Sequence, residues 1–256
     1  MIKVSHLSKE YKLGKQQRRE MGEAYRNART IKAVNDINFE CTPGRVFGLI
    51  GPNGAGKTTT LRMIATMLKP TSGTISVAGY DTLTHPEEVR RQIGFMTGQT
   101  ALYDRLTPDE MIRYMADLQN MDSSRFETRK EKLYTILDMS EFVNRRIARL
   151  SSGMKQKVSI ARTIIHDPDY VVFDEPTSGL DVMTSRAIIE LIRSCRDEGK
   201  TVIFSTHRMG EVKLLCDDVA IIHQGKLYFC GTLEKFESEM TQPTFEDEFI
   251  HLVGET

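Results

Sequence analysis

Apolar residues in this chain fall into short runs of distinct periods. Val46, Phe47, Leu49 and Ile50 are nearly continuous, as are Tyr170 to Phe173. Such runs mark strands buried on both faces of a parallel sheet. Thr201–Ser205 has the same character. Ile2, Val4 and Leu7, then Val34, Ile37 and Phe39, come in shorter, more polar pieces and predict a small antiparallel sheet. Thr74–Ala78 alternates after a Pro-Thr-Ser-Gly turn at 70–73. Helical spacing appears at Leu61, Ile64, Ala65 and Leu68, and again at Ile188, Leu191 and Ile192 within 182–197. A short helix over 85–92 precedes a strand at Ile93–Thr97. Thr107–Asn120 opens with Thr-Pro-Asp-Glu, a cap followed by Pro and acids. With helices over 124–139 and 154–166, residues 100–156 read as a mainly helical block between strands. Val219–His223 and Lys226–Phe229 flank Gln224-Gly225, a hairpin pattern. Phe245 and Phe249, four apart in an acidic tail, predict a short docked helix. The fold class is therefore α/β.

Between the first buried strand and the helix at 61–68 lies Gly51-Pro52-Asn53-Gly54-Ala55-Gly56-Lys57-Thr58-Thr59. It fits the spacing G-x-x-x-x-G-K-[ST]. Glycines let successive backbone N–H groups curl around a polyphosphate. Lys57 is placed to reach the β- and γ-phosphates, and the Thr58 hydroxyl to take an Mg²⁺ position. The helix N-terminus that follows favours negative charge. A second signal is Tyr170-Val-Val-Phe-Asp174-Glu175, a buried strand ending in two carboxylates, where open α/β sheets place their ligands. Asp174 is positioned to hold Mg²⁺ through water, and Glu175 to orient and deprotonate an attacking water.

Composition narrows the classes. Lys+Arg and Asp+Glu both number 35 in 256 residues, so no global charge draws the chain to nucleic acid. The four cysteines have no paired spacing and read as reduced thiols; the six histidines form no metal motif. No stretch approaches a membrane span, and the start lacks the apolar run of a signal peptide. Residues 12–33 carry seven Lys or Arg against two Glu, long for a hairpin connection. They read as a solvated loop or as a patch for anionic lipid or a partner subunit.

Here the chain resembles the ATP-binding subunits of ATP-binding-cassette (ABC) transporters. Leu150-Ser151-Ser152-Gly153-Met154 is similar to the cassette signature, with Ser152 where the family usually has glycine. Gln99 matches the glutamine-loop position, Ser178-Gly179-Leu180-Asp181 the D-loop, His207 the switch histidine, and Tyr11 the aromatic that stacks on adenine. By residue type alone, Tyr11 also reads as an ordinary strand aromatic, Gln99 as a turn polar group and His207 as a partner for a backbone carbonyl. Order and spacing agree from residue 1 to about 235. The phosphate loop, Ser-Thr-His-Arg-Met around His207 and the tail at 245–252 resemble the bacterial sodium-efflux (Nat-type) and drug-efflux exporter branch.

The resemblance implies a RecA-like P-loop NTPase core with an N-terminal antiparallel β subdomain and an inserted α-helical subdomain. It divides the chain into a nucleotide-binding core (1–98), a signature-bearing helical subdomain (99–156), the rest of the core (157–235) and a short tail (236–256). It also implies ATP hydrolysis with Mg²⁺ held by Thr58, Gln99 and Asp174. By the same resemblance, Glu175, His207 and Lys57 are the expected catalytic residues. The nucleotide is bound by Tyr11, Gly51–Thr59, Gln99, Ser151–Met154 and Asp181. Two cassettes, identical or different, close head-to-tail on two ATP molecules. Each ATP then lies between one subunit's Gly51–Thr58 and the other's Ser151–Met154. The expected setting is the cytoplasmic face of the membrane, bound to integral membrane subunits and to no nucleic acid. The expected cargo is Na⁺ or a drug-like or lipid molecule. A soluble ABC ATPase working on ribosomes or DNA is the alternative. A non-catalytic cassette sits poorly with an intact Glu175 and His207, and a small-molecule P-loop kinase leaves Leu150–Met154 unexplained.

Overall fold

The computed structural model describes residues 1–14, 16, 28–97 and 101–254. Two sheets organise them. The larger has the strand order β10-β9-β3-β8-β7-β6. It consists of β3 (Val46–Ile50), β6 (Ile93–Met96), β7 (Tyr170–Asp174), β8 (Thr201–Thr206), β9 (Asp218–His223) and β10 (Lys226–Thr232). Pairs from β6 to β9 are parallel; β10 returns antiparallel on β9 through Gln224 and Gly225, both at positive φ as a tight hairpin turn requires. The smaller, antiparallel sheet has the order β2-β1-β4-β5, from β1 (Ile2–Lys12), β2 (Thr30–Cys41), β4 (Ser72–Val77) and β5 (Tyr80–Asp81).

The near-continuous apolar runs are explained by what covers each face. Successive side chains on a strand point to opposite faces. Val46, Ile50, Val171, Phe173, Val202 and Phe204 join one core, shared with the helices that follow β6 and β7. Phe47, Leu49, Val172 and Ile203 join a second core under the antiparallel sheet, with Ile2, Val4, Leu7 and Val34. Phe39 stacks on Phe47 there, ring centroids 5.1 Å apart.

The helices are α1 (Lys57–Ile64), α2 (Pro86–Gln92), α3 (Pro108–Leu118), α4 (Ser123–Ile136), α5 (Ser152–Ile164), α6 (Val182–Asp197), α7 (Met209–Leu215), α8 (Leu233–Glu239) and α9 (Phe245–Gly254). The expected start of α3 forms a full capping box: Glu110 N donates to Thr107 Oγ1, and Thr107 N donates to the Glu110 carboxylate. Helices expected to 139 and 166 end at Ile136 and Ile164; Asp138 and Asp167 follow at positive φ, which an α-helix does not accommodate. Phe245 of α9 is fully buried and meets Phe236 of α8 at 4.5 Å, so the tail is docked.

Three local differences from the sequence expectation are of one kind. β1 runs through Lys12 and β2 begins at Thr30, pairing Lys12 with Thr30 and Tyr11 with Ile31, so the polar ends of the basic connection are strand. A ladder held by backbone hydrogen bonds accepts polar side chains on a wet face. The segments α7 and α8, seven residues each, had no legible period. The remainder of the basic connection, 15 and 17–27, lies outside the described residues, as does Gln99.

Candidate nucleotide-binding and hydrolytic site

Strands β3, β7 and β8 lie side by side and parallel, so their C-terminal ends meet on one edge. Gly51, Glu175 and His207 each follow one of these ends. The loop after β3 has the backbone its glycines permit. Gly54 and Gly56 have φ of 81° and 109°. Gly51 needs glycine for another reason: an added Cβ would lie 2.2 Å from the Ile222 carbonyl oxygen. The loop, with Ala33 and Glu175, borders a cleft of about 140 Å³.

Lys57 is almost fully buried and curls back over the loop. Its ammonium donates to the Gly51 and Pro52 carbonyl oxygens at 2.7 and 3.1 Å, and lies 3.2 Å from Glu175 Oε1. His207 Nδ1 approaches the same carboxylate oxygen at 3.3 Å. Burial alone would raise the Glu175 carboxyl. The Lys57 ammonium and then His207 outweigh it, holding the group below its ordinary value. Glu175 has a φ of 48°, a left-handed conformation that a side chain with a Cβ rarely adopts, so its carboxylate is aimed at a local backbone cost.

One step toward the sheet, Thr58 Oγ1 donates to Asp174 Oδ1 at 3.0 Å, and Ser205 Oγ donates to the same oxygen at 2.7 Å. Ser205 also accepts from the Glu175 N–H at 3.0 Å. It thereby links the two carboxylate-bearing residues. Sequence reasoning missed Ser205; only the pairing of Asp174 with Ser205 across β7 and β8 discloses it. Gln156 of α5 was missed too. Its amide donates to the Pro176 carbonyl at 2.8 Å, and it lines a depression with Thr58, Asp174, Glu175 and Ser178.

The other expected site residues lie apart from this cleft. Tyr11 is a part-exposed aromatic near the end of β1, with the Lys9 ammonium 5.4 Å from its ring centre. Ser151 caps α5 by accepting from the Met154 N–H, and Ser152 is exposed at the first turn. Gly153 faces α6: an added Cβ would sit 3.0 Å from Thr184 Oγ1. Asp181 caps α6, accepting from the Thr184 N–H and hydroxyl at 2.9 and 2.8 Å; these bonds hold its carboxyl below the ordinary value. The structure thus brings together Gly51–Thr59, Asp174, Glu175 and His207. It does not bring Tyr11, Ser151–Met154 or Asp181 to the same cleft of this chain. Among the described residues no helix is long and apolar enough to cross a membrane.

Comparison with known proteins identifies the family and the fold. The family model described as "ABC transporter" matches residues 34–178. The chain is 45% identical over 216 residues to the ABC transporter ATP-binding protein NatA of Bacillus subtilis, covering 84% of this chain and 88% of that one. It is 36% identical over 210 residues to the daunorubicin/doxorubicin resistance ATP-binding protein DrrA of Streptomyces peucetius, covering 82% and 63%. A solved ATP-binding subunit of an ABC transporter superposes with a TM-score of 0.84 at 28% identity, over 99% of both chains. A dimeric ATP-binding cassette in a post-hydrolysis state with ADP and phosphate superposes at 0.78 and 26% identity, over 91% and 99%. The RecA-like core with its antiparallel sheet and helical insertion is the fold of these cassettes. This chain belongs to the ABC transporter family, in its Nat-type and drug-efflux branch, and is an ATP-binding, ATP-hydrolysing subunit.

Proposed function

We propose that this subunit binds MgATP in a head-to-tail pair of cassettes and drives export through integral membrane subunits at the cytoplasmic face of the membrane. One observation carries the reading. The phosphate loop, Asp174, Glu175 and His207 converge on one sheet edge, while Ser151–Met154, which the family uses at the γ-phosphate, lines none of the clefts at that edge. A second cassette supplies that segment.

Thr58 Oγ1 and Asp174 Oδ1 are hard oxygen donors on one spot, a donor set that suits Mg²⁺. With Gln99 they would hold it, and bound there it neutralises charge on the β- and γ-phosphates. The chain's own residues do the rest. Lys57 exchanges its loop carbonyls for phosphate oxygens. Glu175, kept ionised by Lys57 and His207, accepts the proton of the attacking water. His207 then donates to the charge developing on the transferred group. Loss of the γ-phosphate removes the contact that joins the cassettes, and the pair reopens. In this reading 1–98 and 157–235 form the core, 99–156 carries the signature, and 236–256 is the tail. Tyr11 stacks on adenine, and Asp181 lies at the cassette interface.

Na⁺ or a drug-like or lipid molecule is the proposed cargo; the drug-resistance relative supports the drug-like reading, and Na⁺ rests on the sequence resemblance alone. Light scattering of Glu175→Gln tests the mechanism: MgATP should convert monomer to dimer. Nucleotide binding with no dimer at any concentration would refute it.

A further inference from the structure

The C-terminal helix α9 forms a second cleft with the phosphate loop, of about 510 Å³. Pro52 and Asn53 border it from the loop, Phe249 and Ile250 from α9, and Met209 from α7 beside His207 and Arg208. Glu246 also borders it. Ile250 remains 63% exposed although it sits at this cleft.

Val182 and Met183 are the most exposed large apolar residues described, at 82% and 75%. They open α6 directly after its cap, Asp181. Their position relative to the signature is set within the chain, because Gly153 packs beside Thr184 and Asp181. Any partner that carries its Ser151–Met154 over a phosphate loop therefore carries the start of its α6 to the rim of that loop. Pro52 and Asn53 of that loop also border the α9 cleft.

We propose that this cleft receives the start of α6 from a second copy of the chain, with Val182 and Met183 seated against Met209, Phe249 and Ile250. This rests on the head-to-tail reading above and is continuous with that interface. Charge agrees. Arg186 lies four residues after Val182 and three after Met183, on the same helical face, and is exposed. Its counterpart on the cleft is Glu246; Arg208, which also borders the cleft, is already paired with Glu211 at 3.1 Å. In a two-fold pair the contact occurs twice, so its effect on association is doubled. The tail is then part of the dimerisation surface, which the signature and phosphate loop alone do not include.

The test uses the full chain carrying Glu175→Gln, with the dimer dissociation constant measured by sedimentation in MgATP. Nucleotide affinity of the monomer is measured separately by titration. Ile250→Glu and, independently, Val182→Glu with Met183→Glu should each weaken the dimer tenfold or more and leave nucleotide affinity within twofold. Both sites are exposed, and acids suit the first turn of α6, so folding is retained. Arg186→Glu should weaken the dimer, and Glu246→Arg added to it should restore it. Dimers as tight as the parent's in both apolar variants would overturn the proposal. Failure of the Glu175→Gln parent itself to dimerise would overturn the head-to-tail reading and this inference with it.

Discussion

Glu211 of α7 holds together the two turns that carry Glu175 and His207, the proposed catalytic pair. It is 7% exposed. Thr177, two residues after Glu175, donates to Oε1 at 2.6 Å; Thr206, immediately before His207, donates to Oε2 at 2.9 Å. Arg208 adds a bond to Oε1 at 3.1 Å. Glu211→Ala strands two hydroxyls that are both 3% exposed. An unsatisfied buried hydroxyl costs about 1–3 kcal/mol. Arg208, half-exposed, regains water and adds little. The expected loss is therefore about 3 kcal/mol. Glu211→Gln keeps an oxygen for one hydroxyl and offers its amide to the other, so about 1 kcal/mol is expected. Urea denaturation measures both, and ATP turnover provides the second readout. With Thr206 released the imidazole of His207 loses its fixed position, so turnover should fall in Glu211→Ala and recover largely in Glu211→Gln. A Glu211→Ala protein within about 1 kcal/mol of the parent, with parental turnover, would refute the reasoning.

Other outcomes follow from the same geometry. Gly51→Ala places a Cβ 2.2 Å from a backbone oxygen that has no rotamer to yield, so nucleotide affinity should fall at least tenfold; a titration at parental affinity would contradict it. Burial pushes His166 down to about 4 from its ordinary 6.5, with a buried Nε2 that has no hydrogen-bond partner among the described residues. The folded protein then binds fewer protons than the unfolded chain, so this residue's contribution is lost as pH falls from about 6.5 through 4. His166→Gln should flatten the stability-versus-pH curve in that window. The Glu175 carboxyl is held below its ordinary 4.5, so its contribution is full above that pH and lost as pH falls through the lower folded value. Acid titrations of the parent and Glu175→Gln should diverge below about pH 4.5 and run parallel above it.

Much was legible in the chain because it is local. The phosphate loop is contiguous, so its glycines, Lys57 and Thr58 stand at a fixed spacing whatever surrounds them. Buried parallel strands declare themselves because both faces need apolar cover. The capping box at Thr107 and Glu110 and the Gln224-Gly225 turn are likewise written within four residues. The helix ends at Ile136 and Ile164 were not, since the positive φ of the following Asp residues leaves no mark in periodicity.

What the chain alone determined, then, is which residues are candidates for phosphate chemistry: Lys57, Thr58, Asp174, Glu175 and His207. Tertiary structure decided what holds them. Ser205 binds Asp174 and Glu175 only because β7 and β8 pair in that register. Glu211 reaches Thr177 across a separation of 34 residues, and α9 meets the phosphate loop across nearly two hundred. Sequence spacing fixes chemistry within one turn of backbone. Contacts between distant segments depend on sheet order and on which faces are buried, and a single chain's pattern does not encode these position by position.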